Sequence, residues 1–474
     1  MKFFERPKCL TEAIAPVITL DRLMGLRVFE YPRGQPRPLL SLIYLLLLYC
    51  LYYSGSWYLG EEYYLIVKLM KLEYFLYKVL NYITVAMIIV KLLLGWWYTK
   101  RLKTCYNKII EIDETLRQLG STINYDRIYF IIIGVLIIWF TIGFSLGIVI
   151  FIAMRTHTNV YKTVGAIVTY GYGMTVNSII IFEFYIFVKC LQMRFDLVNQ
   201  LLHKHSALST KVMKLGTFEI QDFAEIINVE QQCLLPTKIL SKWCQKRLSG
   251  KKMQSAKNIS VLEKPNLVKS YFPPHFQKQF DREFRNRSQK HNSVMTKCQE
   301  RKYLLQIIKQ VHLELCKISK TICIIFGVQT ACEIGMITIF FTGTLYIFSM
   351  RYIIRQHKIT DNLLQQTSTM MIMCIINILK IIFLSRVCKH AANKGNKTVE
   401  IIYSIYGCDE ASGVQEEIQQ FGIQILQSPV RFFAYGISLD NHVLTMILKA
   451  VTTYLVIMIQ VSNSLESNKD IQDT

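Results

Sequence analysis

Acidic residues and proline are both scarce in this chain of 474 residues, where 33 Asp and Glu stand against 55 Lys and Arg and there are only ten prolines. Charged residues make up 19% of the sequence while hydrophobic ones reach 52%, and the mean hydropathy is +0.27, a balance that excludes an ordinary soluble globular protein of this size. Recognisable catalytic and metal-ligating patterns are also missing: there is no P-loop, no HExxH, no GxSxG and no paired Cys-x-x-Cys spacing. Cys388 and His390 lie close together, but two donors on a basic stretch do not make a zinc site. The expectation is a protein that is not an enzyme and carries no cofactor or metal.

What the sequence does contain is long apolar runs, each able to cross about 30 Å of hydrocarbon as a helix. They fall at Leu39–Tyr58, Phe75–Tyr98, Ile128–Ile152, Val164–Val188, Thr321–Ser349, Leu364–Val387 and Asn441–Val461, and all ten prolines lie outside them. The predicted fold is all-α, a seven-transmembrane helix bundle. Basic residues set its orientation, because Lys and Arg are retained on the cytoplasmic side during insertion. They crowd the N-terminal segment (Lys2, Arg22, Arg27, Arg37) and the second loop (Lys100, Arg101, Lys103) and are sparse in the first loop and the tail, which predicts a cytosolic N-terminus and an extracellular C-terminus. The first 38 residues are charged and contain proline, so the first run is expected to act as an uncleaved anchor of a multi-pass protein of the cell membrane.

This topology divides the chain into a cytosolic segment (1–38), four spans (39–191), a long basic loop (192–320), two spans (321–387), a second cytosolic loop with an amphipathic helix (388–440), the last span (441–461) and an outer tail (462–474). Most of the thirteen cysteines, Cys105, Cys233, Cys244, Cys298 and Cys388 among them, then face the cytosol or membrane and are expected as free thiols. The sequons at Asn258, Asn286 and Asn396 fall on the cytosolic side, out of reach of glycosylation. Much of the net charge of +22 sits in the basic loop, whose middle, about 245–297, lacks helical periodicity and is expected to be disordered. Anionic lipid headgroups are the expected partner of these charges, not nucleic acid. The loop's flanks, Met193–Leu208 and Tyr303–Lys320, have helical spacing that predicts extensions of the neighbouring spans.

Charges inside the spans include Lys78, Lys91, Glu183, Glu333 and Lys380. An unpaired charge in hydrocarbon costs several kcal/mol, so such groups face the bundle interior or a water-filled cavity. Lys91 and Glu183 are candidates to pair with each other or with Lys380, and Glu333, near mid-membrane, is a candidate ligand contact. The fourth span adds Thr169, Tyr170, Tyr172 and Asn177, and the third adds Trp139. Ring faces with hydroxyl and amide groups suit a pocket for a small polar organic molecule. Gly171, Tyr172 and Gly173 echo a carbonyl ion filter, but they sit inside one continuous apolar run instead of a re-entrant loop.

The last span carries the most specific pattern: Thr453 and Tyr454, five apolar residues from Leu455 to Ile459, then Gln460. Hydrogen-bonding side chains in a lipid-soluble helix must face protein or water. The pattern resembles the C-terminal signature of the insect gustatory receptors, with Val461 in place of the family's final Phe. Phe433, Ala434, Gly436, Leu439, Asp440, Leu444, Ala450 and Val451 extend the resemblance upstream, and His312, Leu315, Ile318, Phe326 and Gly327 are similar to the stretch entering the family's fifth helix.

The resemblance implies a taste receptor: a subunit of a tastant-gated, non-selective cation channel, homotetrameric or mixed with other gustatory receptors. It also implies that Thr453, Tyr454, Ile457, Gln460 and Val461 form the pore and outer gate, that Glu416–Leu426 is a cytosolic anchor helix, and that a tastant binds among the helices in a pocket open to the outside. A seven-spanning G-protein-coupled receptor is the alternative, opposed by the predicted inside N-terminus and by spans without proline. A transporter is opposed by the lack of internal repeats and of broken helices.

Overall fold

The computed structural model describes residues 6–7, 9–30, 36–66, 71–155, 159–213, 297–350, 361–406 and 412–472. Most of the stretch 245–297, expected to be disordered, lies outside them, as do the sequons at Asn258 and Asn286. Nine helices occur among the described residues: α1 (Leu10–Leu23), α2 (Pro38–Ile66), α3 (Lys71–Gln118), α4 (Tyr125–Arg155), α5 (Val160–Met213), α6 (Lys297–Phe348), α7 (Asp361–Tyr406), α8 (Ser412–Gln427) and α9 (His442–Gln472). Seven of these, α2 to α7 and α9, are long and apolar enough to cross a membrane. Pro38 opens α2, where its missing N–H costs no hydrogen bond and its fixed φ suits the first turn. Both flanks of the basic loop are helical, since α5 runs on to Met213 and α6 begins at Lys297.

Burial is concentrated on two helices: 67% of the crossing window of α5 and 56% of that of α6 are covered, against 6% for α4. The centre is a packed column of Phe184, Phe187 and Phe326, with the Phe184 and Phe326 rings stacked 5.3 Å apart. Below it Arg194 of α5, fully buried, donates through Nε and Nη2 to the two carboxylate oxygens of Asp113 on α3, at 2.8 and 2.6 Å. Tyr125 at the start of α4 donates to the same carboxylate at 2.9 Å, so one acid ties three helices. The planar guanidinium fork matches a carboxylate in two parallel bonds, which makes it the cation suited to a dry position.

The segment 1–38, read from sequence as a cytosolic stretch, is folded into the bundle over much of its length. Leu10, Ala13, Ile14 and Val17 form the buried face of α1, which packs on α3 and α4. After α1 the chain turns through Gly25 at φ +78°, a left-handed conformation that glycine adopts without steric cost. The turn lies among Leu45, Leu48 and Leu92, and the Leu26 carbonyl lies over Gly95 so closely that an added Cβ there would meet its oxygen at 2.6 Å. Arg27 follows and donates to the Gly95 carbonyl at 3.1 Å and to Glu183 of α5. Burial, reinforced by the carboxylate of Glu183, pushes the Asp21 carboxyl well above its ordinary range. That favours a neutral acid at Asp21 and leaves Arg27 and Glu183 as a balanced pair.

On the face around the base of α6, α8 buries Val414, Ile418, Phe421 and Ile425. Leu426, the last residue of the helix expected over Glu416–Leu426, is 50% exposed. His312 of α6 joins the layers: its Nε2 pairs with the Gly395 carbonyl of α7 at 3.0 Å, and its ring lies 5.3 Å from Phe195 of α5 and 5.6 Å from Phe421 of α8. The Asn396 side chain is occupied by both backbone groups of Val430, at 3.2 and 2.9 Å. A short hairpin, β1 (Phe433–Ala434) and β2 (Ile437–Ser438), turns through Tyr435 and Gly436, both at positive φ as a two-residue hairpin turn demands. Asp440 then accepts the His442 N–H at 2.8 Å and caps α9.

Replacing Gly95 with Ala forces its Cβ against backbone, not against the end of a movable side chain, so the segment at Leu26 has to shift. We expect Gly95→Ala to destabilise the fold by about 1–3 kcal/mol, seen as a lower Tm in detergent, while Gly134→Ala, with open space around the added Cβ, leaves Tm unchanged.

Candidate functional site

Four helices send polar side chains to one buried position inside the bundle, and a fifth adds an aromatic ring. Lys91 of α3, whose side chain is only 2% exposed, pairs with Glu333 of α6 and donates to Asn177 of α5 at 2.5 Å. Gln329, one turn before Glu333, donates to the Lys91 carbonyl at 3.3 Å. Lys380 of α7 donates to Ser178 of α5 at 2.9 Å, with Glu333 at 4.0 Å and the ring of Trp139 on α4 at 5.5 Å from its ammonium. Of the pocket residues expected from sequence, Trp139, Asn177 and Glu333 therefore meet in one cluster.

The other three lie elsewhere. Tyr172 packs on Tyr52 of α2 at 5.6 Å and donates to the Met24 carbonyl at 3.1 Å, so it holds the N-terminal turn. Thr169 bonds back to the Gly165 carbonyl at 2.9 Å and lies against Gly55 of α2. Tyr170 is 44% exposed on a different side of α5. The pairing expected for the spans also needs correction: Glu183 joins Arg27, not Lys91, and Lys91 joins Glu333. The reason is geometric, since Arg27 arrives on the N-terminal turn, which no apolar run marks. Gly171, Tyr172 and Gly173 stay within uninterrupted helix, which rules out a carbonyl filter there.

A second feature is the face of α9. It packs on α7 and β2 through a narrow stripe, Val443, Ile447 and Val451, with Ser462 buried and bonded to Tyr346 of α6 at 3.0 Å. Only 17% of its crossing window is covered. Thr453, Ile457, Gln460 and Val461 recur at spacings of three or four and share an uncovered face, with Tyr454 beside it at 57% exposure. Thr453 satisfies its hydroxyl on the Lys449 carbonyl at 2.9 Å. Sequence reasoning missed Gln329 and Ser178 in the buried cluster, although a Gln one turn from Glu333 and a Ser beside Asn177 in an apolar helix were legible signals.

A family profile described as 7tm Chemosensory receptor matches residues 18–242 and 275–463. Gustatory receptor 68a of Drosophila melanogaster is 36% identical over 107 residues, 22% of this chain and 24% of that protein. Gustatory and pheromone receptor 32a of the same fly is 28% identical over 168 residues, 34% of each chain. These matches thus span from about a quarter to a third of the curated relatives' length. Among solved structures the insect olfactory receptor OR5 from Machilis hrabei, determined in complex with eugenol, superposes with a TM-score of 0.51 over 95% of this chain and 98% of that one at 11% identity, a likeness of fold.

Lys91→Met leaves Glu333 with Lys380 at 4.0 Å as its remaining counter-charge. Removing one partner of a buried pair costs about 3–5 kcal/mol, whereas removing both is far milder. The single variant is expected to lose much of its correctly folded protein by fluorescence-detected size exclusion, and the triple variant Lys91→Met, Glu333→Gln, Lys380→Met, which leaves no charge in the cluster, to recover much of it.

Proposed function

The chain belongs to the 7tm chemosensory receptor family, and we propose that it works there as a gustatory subunit: a tastant-gated, non-selective cation channel that depolarises a sensory neuron. The observation that carries this is the uncovered face of α9. A helix in hydrocarbon cannot leave Gln460 and Tyr454 facing lipid without cost, so their side of α9 needs water or further protein. Copies of the chain arranged around an axis, four in a homotetramer or together with other gustatory receptors, supply both, with water on the axis and α9 lining it. Membrane lipid covers the outer faces of α2 and α4.

Within this reading Val461 forms an apolar ring that closes the path by dewetting, and the Gln460 ring beside it holds a hydrated cation once the ring widens. The α8 helices anchor the subunits on the cytosolic side. Tastant binds at the cluster of Trp139, Asn177 and Glu333, with Thr169, Tyr170 and Tyr172 on the helix that forms its back. A ligand shifts the closed-to-open equilibrium only by its differential affinity, so an agonist must prefer the open state by about a hundredfold to move a gate held shut by a few kcal/mol.

Current evoked by a tastant panel in cells, insensitive to blockade of G-protein signalling, is the expected result. Signals that need a G protein, together with a C-terminal epitope stained only after permeabilisation, would overturn the channel reading and favour a G-protein-coupled receptor. Val461→Ser replaces the apolar ring with a wettable one and is expected to give a constitutive cation leak at unchanged surface expression, a result that a helix facing lipid would not produce.

A further inference from the structure

The buried cluster has an unequal charge balance. Two lysine ammoniums, Lys91 and Lys380, meet one carboxylate, Glu333, and the pairing is lopsided. Lys91 takes one carboxylate oxygen directly and the Asn177 oxygen as well. Lys380 stays 4.0 Å from the other oxygen and holds only the neutral hydroxyl of Ser178 at 2.9 Å. No further acid pairs with it among the described residues. Elsewhere inside the bundle each of these cations has an acid of its own: Arg194 pairs with Asp113, and Arg27 with Glu183, with a second acid, Asp21, at 3.8 Å.

An ammonium with three donors and one good acceptor, in surroundings where an uncompensated charge costs several kcal/mol, is a place for an anion. Lys380 is also the less covered of the two lysines, with its side chain 16% exposed against 2% for Lys91. Its neighbour Trp139 offers an aromatic wall 5.5 Å from the ammonium. Resting on the ligand site proposed above, we propose that this cluster recognises a small organic acid: the ligand's carboxylate takes the open donors of Lys380 and its hydrocarbon or aryl body lies on Trp139. Glu333 sets the selectivity by a like-charge penalty. It tolerates one anion beside the two lysines and disfavours a second, so monocarboxylates are preferred over dicarboxylates.

The test uses the full chain in nanodiscs of neutral lipid, which removes competing lipid phosphates, with benzoate and hexanoate at neutral pH set against benzamide and hexanamide. Thermal stabilisation and fluorescence titration report binding without any need for current. The carboxylates are expected to raise Tm and saturate, and the isosteric amides to bind at least tenfold more weakly. Lys380→Gln should abolish that difference while Lys380→Arg keeps it, and Trp139→Leu should weaken benzoate more than hexanoate. Should Lys380→Gln fail to fold, the acid-against-amide comparison on the wild-type chain and the Trp139→Leu ratio still decide. Equal binding of acid and amide, as a neutral Lys380 amine would give, overturns the proposal, and so does no binding of either. Acid binding without current would leave this inference standing and remove the channel reading. Gating by other tastants with no acid binding would do the reverse.

Discussion

A charge inside an apolar bundle must bring its partner with it, and the arrangement of these helices follows from that constraint. Lys91 and Glu333 are separated by 242 positions in sequence, yet neither helix can be placed in the membrane core without the other. The same demand fixes α3 against α5 through Asp113 and Arg194, nearer the base of the bundle, and brings the N-terminal turn to α5 through Arg27 and Glu183. Apolar packing between helices in lipid is weakly directional, because lipid tails compete for the same contacts. Ion pairs are directional, and three of them at three places along α5 and α6 set rotation and depth for the elements around those two helices.

The rest of the interior fills in around these pins. Phe184, Phe187 and Phe326 occupy the space between the upper and lower charge clusters, and His312 closes the base by joining α5, α6, α7 and α8. Gly327 lets α6 approach the backbone at Ala434 and Tyr435, with an added Cβ only 3.3 Å from the Tyr435 nitrogen. Two stretches of sequence that matched the same family separately, around Phe326 and around Phe433, are therefore one contact in space. The hairpin turn is fixed by Tyr435 and Gly436 and delivers the chain to Asp440, so the start of α9 is set by rigid local geometry.

Much of this was legible in sequence because the membrane simplifies the problem. A run such as Ile128–Ile152 has only one way to satisfy its backbone in hydrocarbon, and the seven spans follow from length and composition. Trp139, Asn177 and Glu333 were legible as candidates because polar atoms in such runs must be accommodated. What stayed hidden was partnership. Periodicity places Glu183 on a face of α5 but does not name Arg27, which lies on a turn between α1 and α2 with no apolar run to mark it. The bond of Tyr172 to the Met24 carbonyl stayed hidden for the same reason, since its acceptor belongs to a segment whose composition reads as cytosolic.

The buried cluster and the uncovered face of α9 are joined by helices that belong to both. α7 carries Lys380 at the buried cluster and also packs against α9, while α6 carries Glu333 and, at Tyr346, the bond to Ser462 of α9. A group that binds Lys380 competes with Ser178 and relaxes its hold on Glu333, so it alters the charges that keep α6 and α7 in register. Because α9 leans on α7 and β2 through a narrow stripe and on α6 at Ser462, and is otherwise uncovered, a displacement of α6 relative to α7 would reach α9 with little else in the chain holding α9 in place. In the proposed channel, coupling of the ligand cluster to the gate would then need no separate relay. It would follow from having Glu333 and Lys380 on the two helices that support α9, the helix proposed to face the pore.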